Sequence, residues 1–208
     1  MLLLLLAQAA ASVWPPNRFP ETAGLLSSLD PPPSFVNGDA AVRVTYTRTT
    51  VRDDGTVEGC VSEKSSGDAK LDAYACAAIS RRLKFTAARW LDGTPAYSVF
   101  SAPLLWMNGT RLPDPRRAVA PDLELSVQRL PAGFPGFINL LLEVAVSAKG
   151  AIVACRARES RQPSAAIALV PTACAQATSQ LRLQPPLDRS GQPVRSIQLA
   201  RVRFLVGS

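Results

Sequence analysis

The chain has 208 residues, 47% of them hydrophobic and 19% charged, which suits one or two globular domains and excludes a disordered polymer. Its net charge is +7, yet the arginines are spread along the chain and no basic stretch is rich in aromatics, so a nucleic-acid platform is not expected. Histidine is absent, which removes the side chain most often used as a general base or a metal ligand.

The chain begins with Met1, five leucines and a run of small residues. This apolar stretch falls short of the roughly 20 residues that cross a bilayer. Ala9 and Ala11 fit an A-x-A cleavage pattern, so residues 1–11 are expected to be a signal peptide for export to the periplasm. Residues 12–34 form a Pro-rich segment. The next unit spans 35–106. In it Val42, Val44 and Tyr46 alternate with Arg43, Thr45 and Thr47, predicting a half-buried strand with the apolar set inward. Asp53-Asp54-Gly55 predicts a hairpin turn, and the return strand runs over 56–63 with Cys60 on it. Leu71, Ala75, Ile79 and Leu83 form one apolar stripe, predicting a helix over 71–83 bordered by Cys76. Asp92-Gly93 predicts another turn before a third strand over 96–105.

After a linker at 107–121 the pattern returns in 122–208. Leu140, Leu142, Val144 and Val146 alternate, Lys149-Gly150 turns, and a strand over 151–156 carries Cys155. Pro171 suits the first turn of a helix in which Cys174, Ala177 and Leu181 repeat the spacing of Cys76, Ile79 and Leu83. A last strand over 194–206 places Ile197, Leu199, Val202 and Phe204 toward a core. Cys155 follows Cys60 by 95 positions, while Cys174 follows Cys76, and Pro193 follows Pro95, by 98. A three-residue insertion between the second pair of cysteines therefore aligns the rest. The expected fold class is α+β: two tandem β-β-α-β units, each a three-stranded antiparallel sheet with one helix and one disulfide.

Four cysteines allow three pairings, and the repeat selects Cys60 with Cys76 and Cys155 with Cys174. A metal site is the competing use, but neither pair has C-x-x-C spacing. No metal ligand set, cofactor or catalytic residue is assigned. The serines at 27, 28, 65, 66 and 160 have no histidine to activate them, and Asp53 and Asp54 read as turn formers. Asn108-Gly109-Thr110 matches a glycosylation sequon but reads as an interdomain turn.

Taken together, Asp54-Gly55-x-Val57, Ser65-Ser66-Gly67, Leu71-Asp72-x-x-Ala75, Arg82-x-x-Phe85-x-x-Ala88 and Asp92-Gly93-x-Pro95 resemble the C-terminal domain of TonB, the periplasmic energy transducer of Gram-negative bacteria. The resemblance covers about residues 42–106. The second unit keeps only Gly150, both cysteines, Leu183 at the Phe85 position, Gly191 and Pro193. It implies a non-enzymatic module for transport or protein binding. The partner would be a TonB-dependent receptor or another envelope protein, whose extended peptide is added as a strand to the last strand of the domain. The edge so implied is Tyr97, Ser98, Val99, Phe100 and Ser101 in the first unit, with 195–199 as its counterpart. Pairing of these two edges with each other would silence both. With neither a spanning helix nor a long spacer, the chain is expected to be a soluble or peripherally held relative. The alternative function is a structural envelope protein whose basic surface contacts peptidoglycan or anionic lipid.

Overall fold

A computed structural model describes residues 43–83, 85–106, 120–134, 136–158 and 164–207. The expected signal peptide, the Pro-rich segment 12–34, residues 35–42 and linker residues 107–119, including Asn108, lie outside the described residues.

One turn chemistry recurs four times, at 52–56, 90–94, 147–151 and 188–192. In each, the amide of the fourth residue (Gly55, Gly93, Gly150, Gly191) donates to the carbonyl of the first at 2.9–3.0 Å. The amide of the first donates to the carbonyl of the fifth at 2.8–2.9 Å. The four glycines have φ between 79° and 85°, the left-handed conformation that closes a three-residue hairpin loop with a bulge. Gly55 and Gly150 meet a second demand, because the chain leaving each helix crosses them. Phe85 N donates to Gly55 O at 3.4 Å, and Leu183 N to Gly150 O at 3.0 Å.

The described residues form eight strands: β1 (Arg43–Val51), β2 (Val57–Lys64), β3 (Ala88–Arg89), β4 (Pro95–Trp106), β5 (Leu123–Val127), β6 (Phe137–Val146), β7 (Ile152–Ala157) and β8 (Ser196–Val206). Among the described residues two α-helices, α1 (Ala69–Arg82) and α2 (Val170–Gln180), interrupt them, and a 3-10 turn at Ser164–Leu169 leads into α2. The fold is thus α+β with two disulfides, and its strands form one mixed sheet in the order β2-β1-β4-β8-β6-β7. β3 attaches to β4 and β5 to β8. All neighbours are antiparallel except β4–β8 and β5–β8, which are parallel. The expectation of separate sheets is therefore corrected: the strands before and after the linker share one sheet.

The pleat fixes where the helices go. Phe100, Ala102, Leu104 and Trp106 of β4 pack with Leu71, Ala75 and Ile79 of α1. On β8, Ala200, Val202 and Phe204 pack with Ala173 and Ala177 of α2. Ser98 of β4 pairs with Ile197 of β8, so even positions of β4 share a face with odd positions of β8. The two helices consequently cover opposite faces of the sheet. Leu199 agrees with this, since it joins the α1 cluster while its neighbours Ala200 and Val202 join the other.

Asp68 caps α1 by accepting from the amides of Lys70 and Leu71 at 2.8 and 3.3 Å. The expected stripe Leu71, Ala75, Ile79 and Leu83 is buried. The face assignment of β1 needs correction. Tyr46 is buried, but the side turned toward α1 carries Thr45, Thr47 and Thr49, all fully buried. Thr45 and Thr47 on one face and Tyr46 on the other are all buried, so both faces of β1 are covered there and alternation alone mislabels them. The hydroxyls of Thr45 and Thr47 are satisfied locally, whereas Thr49 Oγ1 is buried with no hydrogen-bond partner among the described residues. Trp106 Nε1 donates to Thr45 Oγ1 at 2.9 Å, Thr45 Oγ1 donates to Asp72 Oδ1 at 2.9 Å, and Thr47 Oγ1 donates to the Ala102 carbonyl at 3.2 Å. Asp72 also accepts from Ser65 Oγ at 2.5 Å and Ser66 N at 3.0 Å. The Ser-Ser-Gly and Leu-Asp motifs of the sequence are thus the two ends of one tether between β2 and α1.

Partial burial of Asp72 disfavours its charge, but the hydrogen bonds from Ser65, Ser66 and Thr45 outweigh it and hold the carboxyl below its ordinary value of 3.8. A depressed folded pKa gives stability that is complete above the unfolded value and disappears as pH falls through the folded one. Asp72→Ala should cost about 1–3 kcal/mol, because it also strips a partner from the Thr45–Trp106 pair. Urea titrations at falling pH should show a shallower acid loss in this variant than in the parent. The glycines give a second expected order. A Cβ on Gly55 would sit 2.1 Å from the Phe85 carbonyl oxygen, whereas one on Gly93 meets nothing within 4 Å. Gly93→Ala should therefore cost about 1–2 kcal/mol for backbone strain, and Gly55→Ala clearly more, both read as shifts of the denaturation midpoint.

Candidate functional site

The sequence singled out four cysteines and five edge residues. Cys60 on β2 is bonded to Cys76 on α1, and Cys155 on β7 to Cys174 on α2, with Cα–Cα separations of 5.3 and 5.5 Å. Each bond fastens an outermost strand to the helix beside it.

The edge residues are placed differently from the expectation. Tyr97, Ser98 and Val99 pair in parallel with Ser196, Ile197 and Gln198, so β8 fills the side of β4 that was expected to be open. Their other neighbour is β1, which pairs Ser98 with Val51, Val99 with Thr50, Phe100 with Thr49 and Ser101 with Arg48. Ser98, Val99, Ser196, Ile197 and Gln198 are all buried. The two edges implied by the resemblance therefore meet each other, and residues 97–99 lie inside the sheet. Beyond Gln198 the strands part, because β8 takes β5 along Leu123–Val127 instead.

The seam is closed by side chains from both halves. Ala88 packs with Ala145 and Ile197, and Trp90, Leu91 and Ala154 lie against them. The guanidinium of Arg195 lies 5.0 Å from the centroid of the Trp90 ring. It also donates to Thr94 Oγ1 at 2.7 Å and to Asp92 Oδ2 at 3.4 Å. The Asp92 carboxyl is held below its ordinary value, first by the Thr94 hydroxyl and amide and then by Arg195. Behind the seam, Gln198 Nε2 donates to the Gln184 carbonyl at 2.9 Å and to Ser196 Oγ at 3.0 Å, which satisfies a buried amide.

A shallow cleft of about 350 Å³ opens beside the seam, lined by Arg52, Asp53, Asp54, Tyr97, Asp188, Arg189 and Ser190. Asp54 and Asp188 are engaged in their turns. Asp54 Oδ1 accepts from the Thr56 hydroxyl and amide, and Asp188 Oδ1 accepts from the Ser190 hydroxyl and amide and from Gln192 N. Both carboxyls are thereby held low. Carboxylates committed in this way are poor general bases. Among the described residues no group of three metal-ligating side chains converges. The outer strands β2 and β7 received no role from sequence reasoning. Val61 and Val153, exposed at 60% and 52%, were the signal that could have drawn attention to them.

Comparison with known protein families, curated proteins and solved structures finds no match to this chain.

Because Val99 has a strand on either side, Val99→Pro should remove a ladder bond and open the seam, costing about 1–3 kcal/mol or more. Val99→Thr should preserve both ladders. Thermal denaturation of the two variants reads the difference, and a proline variant as stable as the parent would contradict the pairing. Reduction of the disulfides should lower stability by about 3 kcal/mol for each loop.

Proposed function

We propose that the chain is a non-enzymatic, exported protein-binding module of the cell envelope. In this reading it is two tandem β-β-α-β units related to the TonB C-terminal domain, which capture an extended segment of a receptor or other envelope protein by strand addition. The sequence motifs support the family reading. The two disulfides are compatible with an oxidising compartment such as the periplasm. The observation that carries the binding mode is a mixed sheet whose strand order ends in β2 on one side and β7 on the other. A terminal strand presents backbone donors and acceptors to an incoming strand. The β4 edge favoured on the resemblance is spent on the seam, so recognition moves outward to these terminal strands.

The test sets strand addition against the basic-surface alternative. Oxidised protein is mixed with purified receptor plug domains bearing their extended N-terminal segments and, separately, with sacculi and anionic vesicles. The expected outcome is capture of a plug domain, with slowed amide exchange on an outer strand. Sedimentation with sacculi or vesicles, without plug binding, would establish the structural envelope role instead.

A further inference from the structure

The two cystines occupy equivalent places in the sheet, but the side chains that face them differ. We propose that Cys60–Cys76 is a reversible thiol–disulfide exchange site for a dithiol reductant, with Thr49 favouring its reduced form, whereas Cys155–Cys174 is a structural staple. This inference is independent of the strand-addition reading above.

The strand register carries the difference. Thr49 of β1 lies directly opposite Cys60, and Val144 of β6 lies directly opposite Cys155. Val144 follows Thr49 by 95 positions (144 − 49), the offset that also separates Cys155 from Cys60. Residues so paired share a face of the sheet with their Cβ atoms within about 5.5 Å, which sets the Thr49 side chain beside that of Cys60. Thr49 is fully buried, and its hydroxyl has no hydrogen-bond partner among the described residues. Phe100 flanks it on β4, and the hydroxyl of Thr47, two places along, is already bonded to the Ala102 carbonyl. A buried hydroxyl left in this way is costly. A cystine sulfur carries no proton, whereas a thiol both donates and accepts. Reduction therefore supplies the partner that Thr49 lacks. Val144 offers Cys155 nothing comparable. Loop length does not separate the two pairs, since sequence separations of 16 and 19 residues give nearly the same chain-entropy effect.

All four cysteines are partly exposed, so a dithiol can reach them. One thiolate of the reductant attacks the Cys60 sulfur, and the Cys76 sulfur leaves with the electron pair and takes up a proton. The second thiolate of the reductant then displaces Cys60, which takes up a proton in turn. The chain gains two thiols and the reductant closes a disulfide.

The first half is built to survive this step. Asp68 caps α1, and Asp72 joins the helix to Thr45, Ser65 and Ser66 without help from the cystine. Helix α2 starts with no side-chain cap. Among the described residues its side-chain hydrogen bonds, from Ser179 and Gln180 to Gln176, stay within the helix. The staple to β7 is accordingly the one that α2 depends on.

The oxidised chain is equilibrated with graded ratios of reduced to oxidised dithiothreitol at about pH 6.5, below the ordinary thiol pKa of about 8.5, so that nearby charges do not decide the result. Acid quenching, alkylation and peptide mapping then report each pair separately. Cys60–Cys76 should open first, with circular dichroism unchanged. Thr49→Val should raise the ratio needed to open it about three- to tenfold, Thr49→Ser should keep the parental midpoint, and neither should move Cys155–Cys174. Val144→Thr should make Cys155–Cys174 easier to open, and this variant decides the role of the hydroxyl should Thr49→Val not fold. An unchanged midpoint in a folded Thr49→Val, or no shift in Val144→Thr, would overturn the role of Thr49. Opening of Cys155–Cys174 first, or opening of Cys60–Cys76 only with loss of the dichroism signal, would overturn the exchange site itself.

Discussion

Three residue pairs hold the arrangement together: Tyr97, Ser98 and Val99 of β4 against Ser196, Ile197 and Gln198 of β8. Without this parallel contact the strands before and after the linker would form separate sheets, each exposing a hydrophobic third strand. With it, the order β2-β1-β4 is followed by its mirror, β8-β6-β7. A mirrored order joined through parallel strands corresponds to a half-turn about an axis lying along those strands. Such a rotation exchanges the faces of the sheet. That is why α1 and α2 pack on opposite sides, and why Leu199 and Ala200, adjacent in sequence, belong to different cores. A short ladder alone would be weak, since each backbone hydrogen bond adds only about 1 kcal/mol net. The Ala88–Ile197 contact and the Arg195–Trp90 stack supply burial and orientation around it.

The same constraint explains the disulfides. In a sheet that ends in two outer strands, the strands most prone to fray are β2 and β7. Both cystines sit there and anchor those strands to the helices. The interior strands need no such staple, because β1, β4, β6 and β8 have neighbours on both sides. Cross-links at the periphery also preserve strand geometry where backbone groups face solvent, the property that an edge used for recognition requires.

Local elements were legible in the sequence where a single principle governed them. The glycine turns, the α1 stripe and the cysteine pairing depend on neighbours a few residues away or on the internal repeat, and both signals are printed in the chain. Even the change of face along β8 was foreshadowed when Ile197 and Leu199 were assigned inward together with Val202 and Phe204, since odd and even positions can both be buried only if both faces are covered. The inward threonines of β1 were not legible, because their partners Trp106 and Asp72 lie 61 and 27 residues away. β5 carries a clean alternation over Leu123, Leu125 and Val127, but a five-residue strand beside a Pro-rich linker gives little to distinguish it from that linker. The candidate edge was misplaced for a deeper reason. Edge status is a property of the whole sheet, and no local pattern in residues 97–101 records what lies beyond them.

On the proposed strand-addition reading, this bears on how a duplicated domain would change its recognition surface. Duplication gives two copies of an adhesive edge on one chain, at high effective concentration, so mutual pairing competes strongly with any free partner. With the third strands paired to each other their side chains serve packing, and Ser98, Ser196 and Ile197 are buried at the seam. Exposure passes to the second strand of each half. There the two copies differ, and Glu58 and Glu63 of β2 stand where the second half has Val153 and Arg158.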